Sequence, residues 1–385
     1  MKVKLSEICD VLNGFAFKSQ DYVNSGIRII RITNVKNGYI EDIDPKYYPK
    51  SQESCIKNYL LKEKDILISL TGNVGRVAIL SDQFLPAALN QRVACLRIKK
   101  NIDLDQDYIY YYLNNNIFEQ DCINASKGIA QKNLSTAWLQ NYSIKIPILA
   151  DQKKIVGILD KVTNLIELKK KQLEKMDLFV KSLFIEMFGS QLENPYNFEK
   201  GIIKDVVSDV KYGTSSPAND NGIYPYLRMG NITYDGQLDL TNLKYITIDD
   251  KELDKYIVKK GDILFNRTNS KELVGKTCVF NLDEPMIIAG YIIRVRTNNR
   301  VIPEYLSAVL NSKYGKQTLF DMCKSIVGQA NINAQELQKI KLLVPPIEIQ
   351  LKYKSYLVQI DKSKYASGYV KLIFIQNKIL NIFFS

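Results

Sequence analysis

Short segments that combine Arg, Lys, Asn, Gln or Thr with glycine follow apolar runs at several places in this chain. In the first half they are Thr71-Gly72-Asn73 with Arg76, Asn90-Gln91-Arg92, and Lys127-Gly128 with Gln131-Lys132. In the second half they are Arg267-Thr268-Asn269 with Lys271, and Lys324 with Gly328-Gln329. Arg, Lys, Asn and Gln are the side chains that read base edges, while Lys, Arg and small polar groups hold phosphates. Glycine adds close backbone approach to a phosphate. The candidate DNA contacts are therefore Thr71, Asn73, Arg76, Arg92, Lys127, Gln131, Lys132, Arg267, Asn269, Lys271, Lys324 and Gln329. A solvated turn has the same composition, so these positions gain meaning only if a scaffold gathers them.

Charge supports a polyanionic partner. The chain has 53 Lys+Arg against 41 Asp+Glu, a formal net charge of +12, and cations gain free energy by displacing counterions from phosphates. Catalytic chemistry fares worse. With no histidine among 385 residues, the Ser-His-Asp and Cys-His arrangements and every His-ligated zinc site are excluded. Cys9, Cys55, Cys95, Cys122, Cys278 and Cys323 are scattered singly, which suits reduced thiols in a cytoplasmic protein better than a metal knuckle or disulfide scaffold. Ser270 to Thr277 nearly spells a phosphate-binding loop, but Ser270 replaces the first glycine, and Cys278-Val279-Phe280 reads as strand rather than helix. Asn194-Pro195-Tyr196 lies in a linker with no glycine-rich cofactor loop upstream, and Asp249-Asp250-Lys251 is a common triplet in so charged a chain. We expect no metal site and no catalytic residue.

The elements that must position the candidate contacts occur twice. Lys64-Asp65-Ile66-Leu67-Ile68 through Val74-Gly75-Arg76 returns as Gly261-Asp262-Ile263-Leu264-Phe265 through Val274-Gly275-Lys276, at an offset of 197 between the Asp-Ile-Leu triplets. Asn133-Leu134 with Leu139 answers Asn331-Ile332 with Leu337, and Pro147 with Gln152 answers Pro345 with Gln350. Leu5 to Asn13-Gly14 corresponds to Ile203 to Tyr212-Gly213, and Ile29 to Val35 corresponds to Tyr226 to Ile232. Five correspondences in one order mean duplication. Each unit reads as a short helix, β-rich segments punctuated by turns such as Asn37-Gly38, a helix (Asp107–Asn115 or Pro303–Asn311), a strand, a proline exit and a long helix. Tyr110-Tyr111-Tyr112 reads as a partly buried helix face rather than a base-stacking platform.

The first long helix, from about Asp151 to Met187, carries Leu159, Val162, Ile166, Leu173, Met176, Val180, Leu183 and Met187 three and four apart, with Lys169 the polar break. That is a coiled-coil seam. Its partner, from about Gln350 to Phe384, offers Tyr353, Tyr356, Ile360, Val370, Ile373, Leu380 and Phe384, and Ser367-Gly368 should weaken or bend it. Val370 to Phe384 is too short and too polar to span a bilayer, and no apolar run follows Met1 as in a signal peptide. The expected architecture is mixed α+β: two duplicated β-rich domains, 1–149 and 200–344, separated by two long antiparallel helices, 150–189 and 345–385, with a linker at 190–199. A helix of roughly 35 residues is about 50 Å long, against about 34 Å for a turn of B-DNA.

In its alternation of β-rich modules with long helices, its Gly-Asp-Ile-Leu type strand and its Pro-x-x-x-x-Gln start to each helix, the chain resembles the specificity subunits of type I restriction-modification systems. Pro147-Ile148-Leu149-Ala150-Asp151-Gln152 is close to the family's pattern, whereas Ile349 stands where an acid is usual in the second copy. The resemblance covers essentially the whole chain. It implies two target-recognition domains, each reading one half of a split double-stranded DNA site. It also implies helices, through residues such as Leu159, Val162, Ile166, Leu173, Met176, Val180, Ile360, Val370, Ile373 and Leu380, that set the gap and dock two methyltransferase subunits, joined by restriction/translocase subunits. This chain would bind no cofactor, with S-adenosylmethionine, ATP and Mg on the partners, and no membrane. A stand-alone DNA-binding regulator is the alternative; an enzyme acting on nucleic acid suits the residues least.

Overall fold

The computed structural model describes residues 2–100, 102–128, 132–326 and 329–384. The chain forms two compact units, Met1–Lys170 with Gly368–Ser385, and Lys171–Ser367. The first long helix, Leu149–Phe188, is thus shared between them rather than standing outside both.

In the first unit a four-stranded antiparallel sheet runs Cys9–Asn13, Val93–Ile98, Ile66–Ser69, Val77–Ile79. Ile66–Ser69 is buried throughout, which is why it reads as an unbroken apolar run rather than an alternating one. Ile66 and Ile68 point into a core with Leu5, Tyr108, Ile109 and Phe118, while Leu67 packs with Ile30, Leu80 and Leu89 on the other side. A smaller sheet pairs Ile27–Ile30 antiparallel with Tyr47–Tyr48 and parallel with Ala87–Leu89. The chain end Lys2–Lys4 pairs with Ser143–Lys145, the strand that leads to the long helix.

The second unit repeats this plan. Its four-stranded sheet runs Val207–Tyr212, Ile292–Thr297, Ile263–Asn266, Thr277–Val279. Glu199–Ile202 pairs with Lys341–Val344 as Lys2–Lys4 pairs with Ser143–Lys145. The expected helices are Gln106–Leu113 and Pro303–Asn311. Tyr111 and Tyr112 are buried in the core, and Tyr108 and Tyr305 each donate a hydroxyl hydrogen bond of 2.8 Å, to the carbonyls of Lys145 and Leu343.

Three polar devices recur at matching places and explain residues that looked merely repeated. Asp65 accepts from the Lys62 amide and grips Arg97 through both oxygens at 2.9 and 2.6 Å. Asp262 likewise accepts from the Lys259 amide and grips Arg296 at 2.7 and 3.0 Å. Asn34 and Asn231 each close a loop, accepting from the amides of Arg31 and Arg228 and donating to the carbonyls of Glu41 and Asp239. Gln152, fully buried, accepts from the Asp105 amide at 2.8 Å and donates to the carbonyls of Pro147 and Asp103. Gln350 does the same with the Ile302 amide and the carbonyls of Pro345 and Arg300. The glutamine of each Pro-x-x-x-x-Gln stretch thus staples the long helix to the start of the module's own helix.

The long helices pack within each unit. In the first, Val156 and Leu159 share the core with Leu380 and Phe384, and Gln376 Nε2 donates to Thr163 Oγ1 at 2.9 Å. In the second, Phe184 and Phe188 pack against Tyr305 and Tyr353, and Lys364 pairs with Asp177 at 2.5 Å. Along Leu149–Phe188 the seam residues Leu159, Val162, Ile166, Leu173, Met176, Val180 and Leu183 are buried or half-buried. The C-terminal helix breaks outright into Ile347–Ala366 and Tyr369–Phe384 around Gly368, whose φ is +68°. One expected seam residue fails there. Val370 is 78 % exposed, because the break resets the helical phase and turns Leu372, Ile373 and Gln376 to the less exposed side instead.

Candidate nucleic-acid interface

At the end of the buried strand Ile66–Ser69 the chain turns through a polar loop. Ser69 Oγ donates to the Asn73 carbonyl at 2.5 Å and accepts from the Arg76 amide at 2.9 Å, which fixes the loop between them. Gly72 has φ +69° with open space where a Cβ would stand, so a side chain there would be strained rather than crowded. Its amide donates to the Lys132 carbonyl at 2.8 Å, and Thr71 and Lys127 both bridge to Asn133. The Leu70 amide donates to the Arg92 carbonyl at 3.0 Å. Thr71, Asn73, Arg76, Arg92, Lys127 and Lys132 therefore belong to one loop cluster. Asn73, Arg92, Lys127 and Lys132 are exposed. Gln131 lies outside the described residues.

The second unit builds the same cluster from strands. Thr268–Asn269 pairs antiparallel with Gln329–Asn331, which pairs with Lys324–Ile326. This three-stranded sheet brings the positions of Asn269, Lys324 and Gln329 together. The Arg267 amide donates to the Tyr291 carbonyl at 2.9 Å and the Ile332 amide to the Arg267 carbonyl at 2.9 Å. Leu70 has the same two bonds, with Arg92 and Leu134. Residues far apart in sequence meet because the strand ends and the segment before the short helix Thr136–Asn141 or Ala334–Gln338 converge at one side of each module.

Electrostatically the cluster differs from its frame. Arg97 and Arg296 are consumed by Asp65 and Asp262, whereas among the described residues Arg76, Arg92 and Arg267 reach no carboxylate. Arg267 instead lies over the Tyr212 ring at 4.8 Å, and Lys271 over the Phe320 ring at 4.2 Å. Nearby, on the helix Lys313–Met322, burial pushes the Lys316 amine down to about 8, Asp235 opposing and Lys276 assisting. Among the described residues no group of three or more Cys, Asp or Glu side chains stands ready to hold a metal ion, and no helix is long and apolar enough to cross a membrane. Sequence reasoning missed Tyr212, Tyr291 and Phe320. The signal for the first was present, since Tyr212-Gly213 sits where the first unit has Asn13-Gly14.

Comparison with known proteins adds an independent line. The chain matches the type I restriction modification DNA specificity domain over residues 1–177 and again over 195–367. It is 22 % identical to the type I restriction enzyme EcoKI specificity subunit of Escherichia coli strain K12, covering 90 % of this chain and 78 % of that one. It is 30 % identical to the MjaVIII specificity subunit of Methanocaldococcus jannaschii over 46 % of this chain and 42 % of that one. Among solved structures, the S subunit of a type I restriction-modification system from M. genitalium superposes with a TM-score of 0.53 at 15 % identity, covering 99 % of this chain and 94 % of that one. A chain from a structural study of complex assembly and conformational transition of the type I R-M system gives 0.58 at 16 %, covering 99 % and 96 %.

Proposed function

Because the chain belongs to the family of type I restriction modification DNA specificity domains, we propose how its two units divide the work of reading DNA. The chain is the DNA specificity subunit of a type I restriction-modification enzyme, a recognition component without catalysis of its own. Each unit takes one half of a bipartite target. The loop cluster around Thr71, Asn73, Arg76, Arg92, Lys127 and Lys132 faces one half-site, and that around Arg267, Asn269, Lys271, Lys324 and Gln329 faces the other. The observation that carries this reading is the contrast inside each duplicated module: frame arginines are paired with aspartates, while the arginines at the converging strand ends reach no carboxylate among the described residues. Such cations gain most from phosphate and base contact.

The helices serve the second task, docking two methyltransferase subunits, with restriction/translocase subunits joining the assembly. Besides the seam, the helices carry a separate set of exposed apolar side chains: Ile158, Leu165, Leu168, Phe374 and Ile382 in the first unit, Leu178, Phe179, Ile185 and Val358 in the second. Exposed apolar groups in such number suit a protein partner. S-adenosylmethionine, ATP and Mg then belong to the partners, and the assembly acts in the cytoplasm. Comparing adenine methylation genome-wide in a host with and without this gene tests the proposal. A split motif that vanishes with the gene is the expected result. Unchanged methylation, or a chain that binds DNA but forms no stable complex with a methyltransferase, refutes it in favour of a stand-alone regulator.

A further inference from the structure

We propose that Arg267, held flat against Tyr212, reads a guanine in the major groove of the half-site taken by the second unit, and that the first unit has no counterpart reader at this place. The inference rests on the reading of the chain as a DNA specificity subunit. The guanidinium of Arg267 lies 4.8 Å from the Tyr212 ring centroid. Tyr212 is itself fixed from both ends: its backbone is the last of the strand Val207–Tyr212, in register with Ile293, and its hydroxyl accepts from the Ala334 amide at 2.8 Å. Among the described residues, Arg267 Nε is buried without a hydrogen-bond partner and no carboxylate reaches the guanidinium. With Nε buried, the two Nη groups form the open end of a planar fork stacked on a ring, suited to a planar, two-pronged acceptor. Guanine O6 and N7 form that acceptor in the major groove.

The first unit differs at every residue of this arrangement. Leu70, buried, stands where Arg267 is; Asn13 stands where Tyr212 is; Arg92 stands where Tyr291 is. The loop that follows is also three residues longer in the second unit, Thr268 to Gly275 against Thr71 to Gly75. Within that extra length Lys271 rides on Phe320 at 4.2 Å. Lysine is a point charge without a fork; here it is assigned to a phosphate, a contact that carries no sequence information. The same backbone frame thus presents different chemistry in its two copies.

Selection from a randomised duplex DNA pool by the full chain, assembled with its methyltransferase subunit, tests this. Arg267→Ala and Arg267→Lys are expected to return the wild-type split site with one G·C position of one half relaxed, and to bind the intact site about ten- to a hundredfold more weakly. Lysine keeps the charge and loses the planar fork, so the second variant separates two-pronged readout from plain electrostatic attraction. Tyr212→Phe keeps the selectivity, and Tyr212→Leu relaxes the same G·C position, which a merely structural loss would not single out. Lys271→Ala weakens binding evenly across sequences and lowers the salt slope by about one. An unaltered motif with either Arg267 variant, or an even loss across all sequences, overturns the inference. A wild-type chain that selects no split site overturns the underlying reading instead.

Discussion

Replacing Gln350 by alanine tests whether the helix-start glutamine is the staple that its geometry indicates. Its Oε1 accepts from the Ile302 amide at 2.9 Å, and its Nε2 donates to Arg300 O at 3.0 Å and Pro345 O at 2.7 Å. The side chain is fully buried, so water cannot replace it. Orphaning one buried donor costs about 1–3 kcal/mol, and each of the two lost amide–carbonyl bonds about 0.5–1.5 kcal/mol net. The expected loss is therefore about 2–6 kcal/mol, a large share of a domain's stability. Since two units need not unfold in one step, the assay is native-state hydrogen exchange read separately for amides of Pro303–Asn311 and of Gln106–Leu113. Gln350→Ala should lower protection in the former alone, and Gln152→Ala in the latter alone. Gln350→Glu sharpens the test. An ionised carboxylate would face two carbonyl oxygens, so its folded pKa is raised above the ordinary value of about 4.3. The stability of that variant is best below about pH 4.3 and falls as pH rises from there through the raised folded value. A loss under about 0.5 kcal/mol for Gln350→Ala, or equal losses in both units, refutes the staple.

Three further outcomes are expected. Lengthening the helix Leu149–Phe188 by one heptad should change the gap between half-sites in the methylated motif while leaving both half-sites as they were; an unaltered gap removes the helix from gap-setting. Asp262→Asn weakens the two-pronged grip on Arg296, which is about a third exposed, and should cost about 2 kcal/mol in urea unfolding of the second unit, without changing the base preference of its half-site. Lys316 has its amine pushed from 10.5 down to about 8 by burial, so the folded unit releases this proton before the unfolded chain does. Its stability contribution therefore rises between pH 8 and 10.5. Lys316→Met should be more stable near pH 7 and lose that rise, and parallel pH curves for the two proteins would contradict the burial argument.

The architecture was legible because duplication leaves traces wherever backbone demands are strict. Asp65 and Asp262 recur since each caps a turn and grips an arginine; Gln152 and Gln350 recur since three backbone groups converge on each. Their pattern was visible in sequence, but their partners, Arg97, Arg296, Asp105 and Ile302, were not, because those lie tens of residues away and carry no mark of pairing. The seam along the first helix was readable from its spacing. Val370 was misread because heptad counting assumes an unbroken helix, and Gly368 at φ +68° restarts the phase. The candidate contacts were chosen one loop at a time, and sequence offered no way to see that Thr71 reaches Asn133 or that Asn269 lies beside Ala330. Tyr212 and Phe320 escaped notice because an aromatic residue beside a cation in space is remote from it in sequence.

The two copies agree most where side chains serve the backbone and least where they face outward, and that distribution has a physical cause. A buried asparagine such as Asn34 or Asn231 satisfies two backbone groups at fixed positions, so any change orphans them. At Leu70 and Arg267 no main-chain group among the described residues is bonded by the side chain. Leu70 and Arg267 make the same two main-chain hydrogen bonds with opposite chemistries beyond Cβ. The same main-chain frame thus accepts a buried apolar side chain in one copy and a cation in the other, so the backbone does not dictate the chemistry at this place. Arg97 and Arg296 are neutralised in place by Asp65 and Asp262, whereas Arg76, Arg92 and Arg267 reach no carboxylate among the described residues. On the proposed reading, recognition is rewritten at Arg267, Lys271 or Arg92 while the staples at Gln152 and Gln350 keep each module attached to its helix.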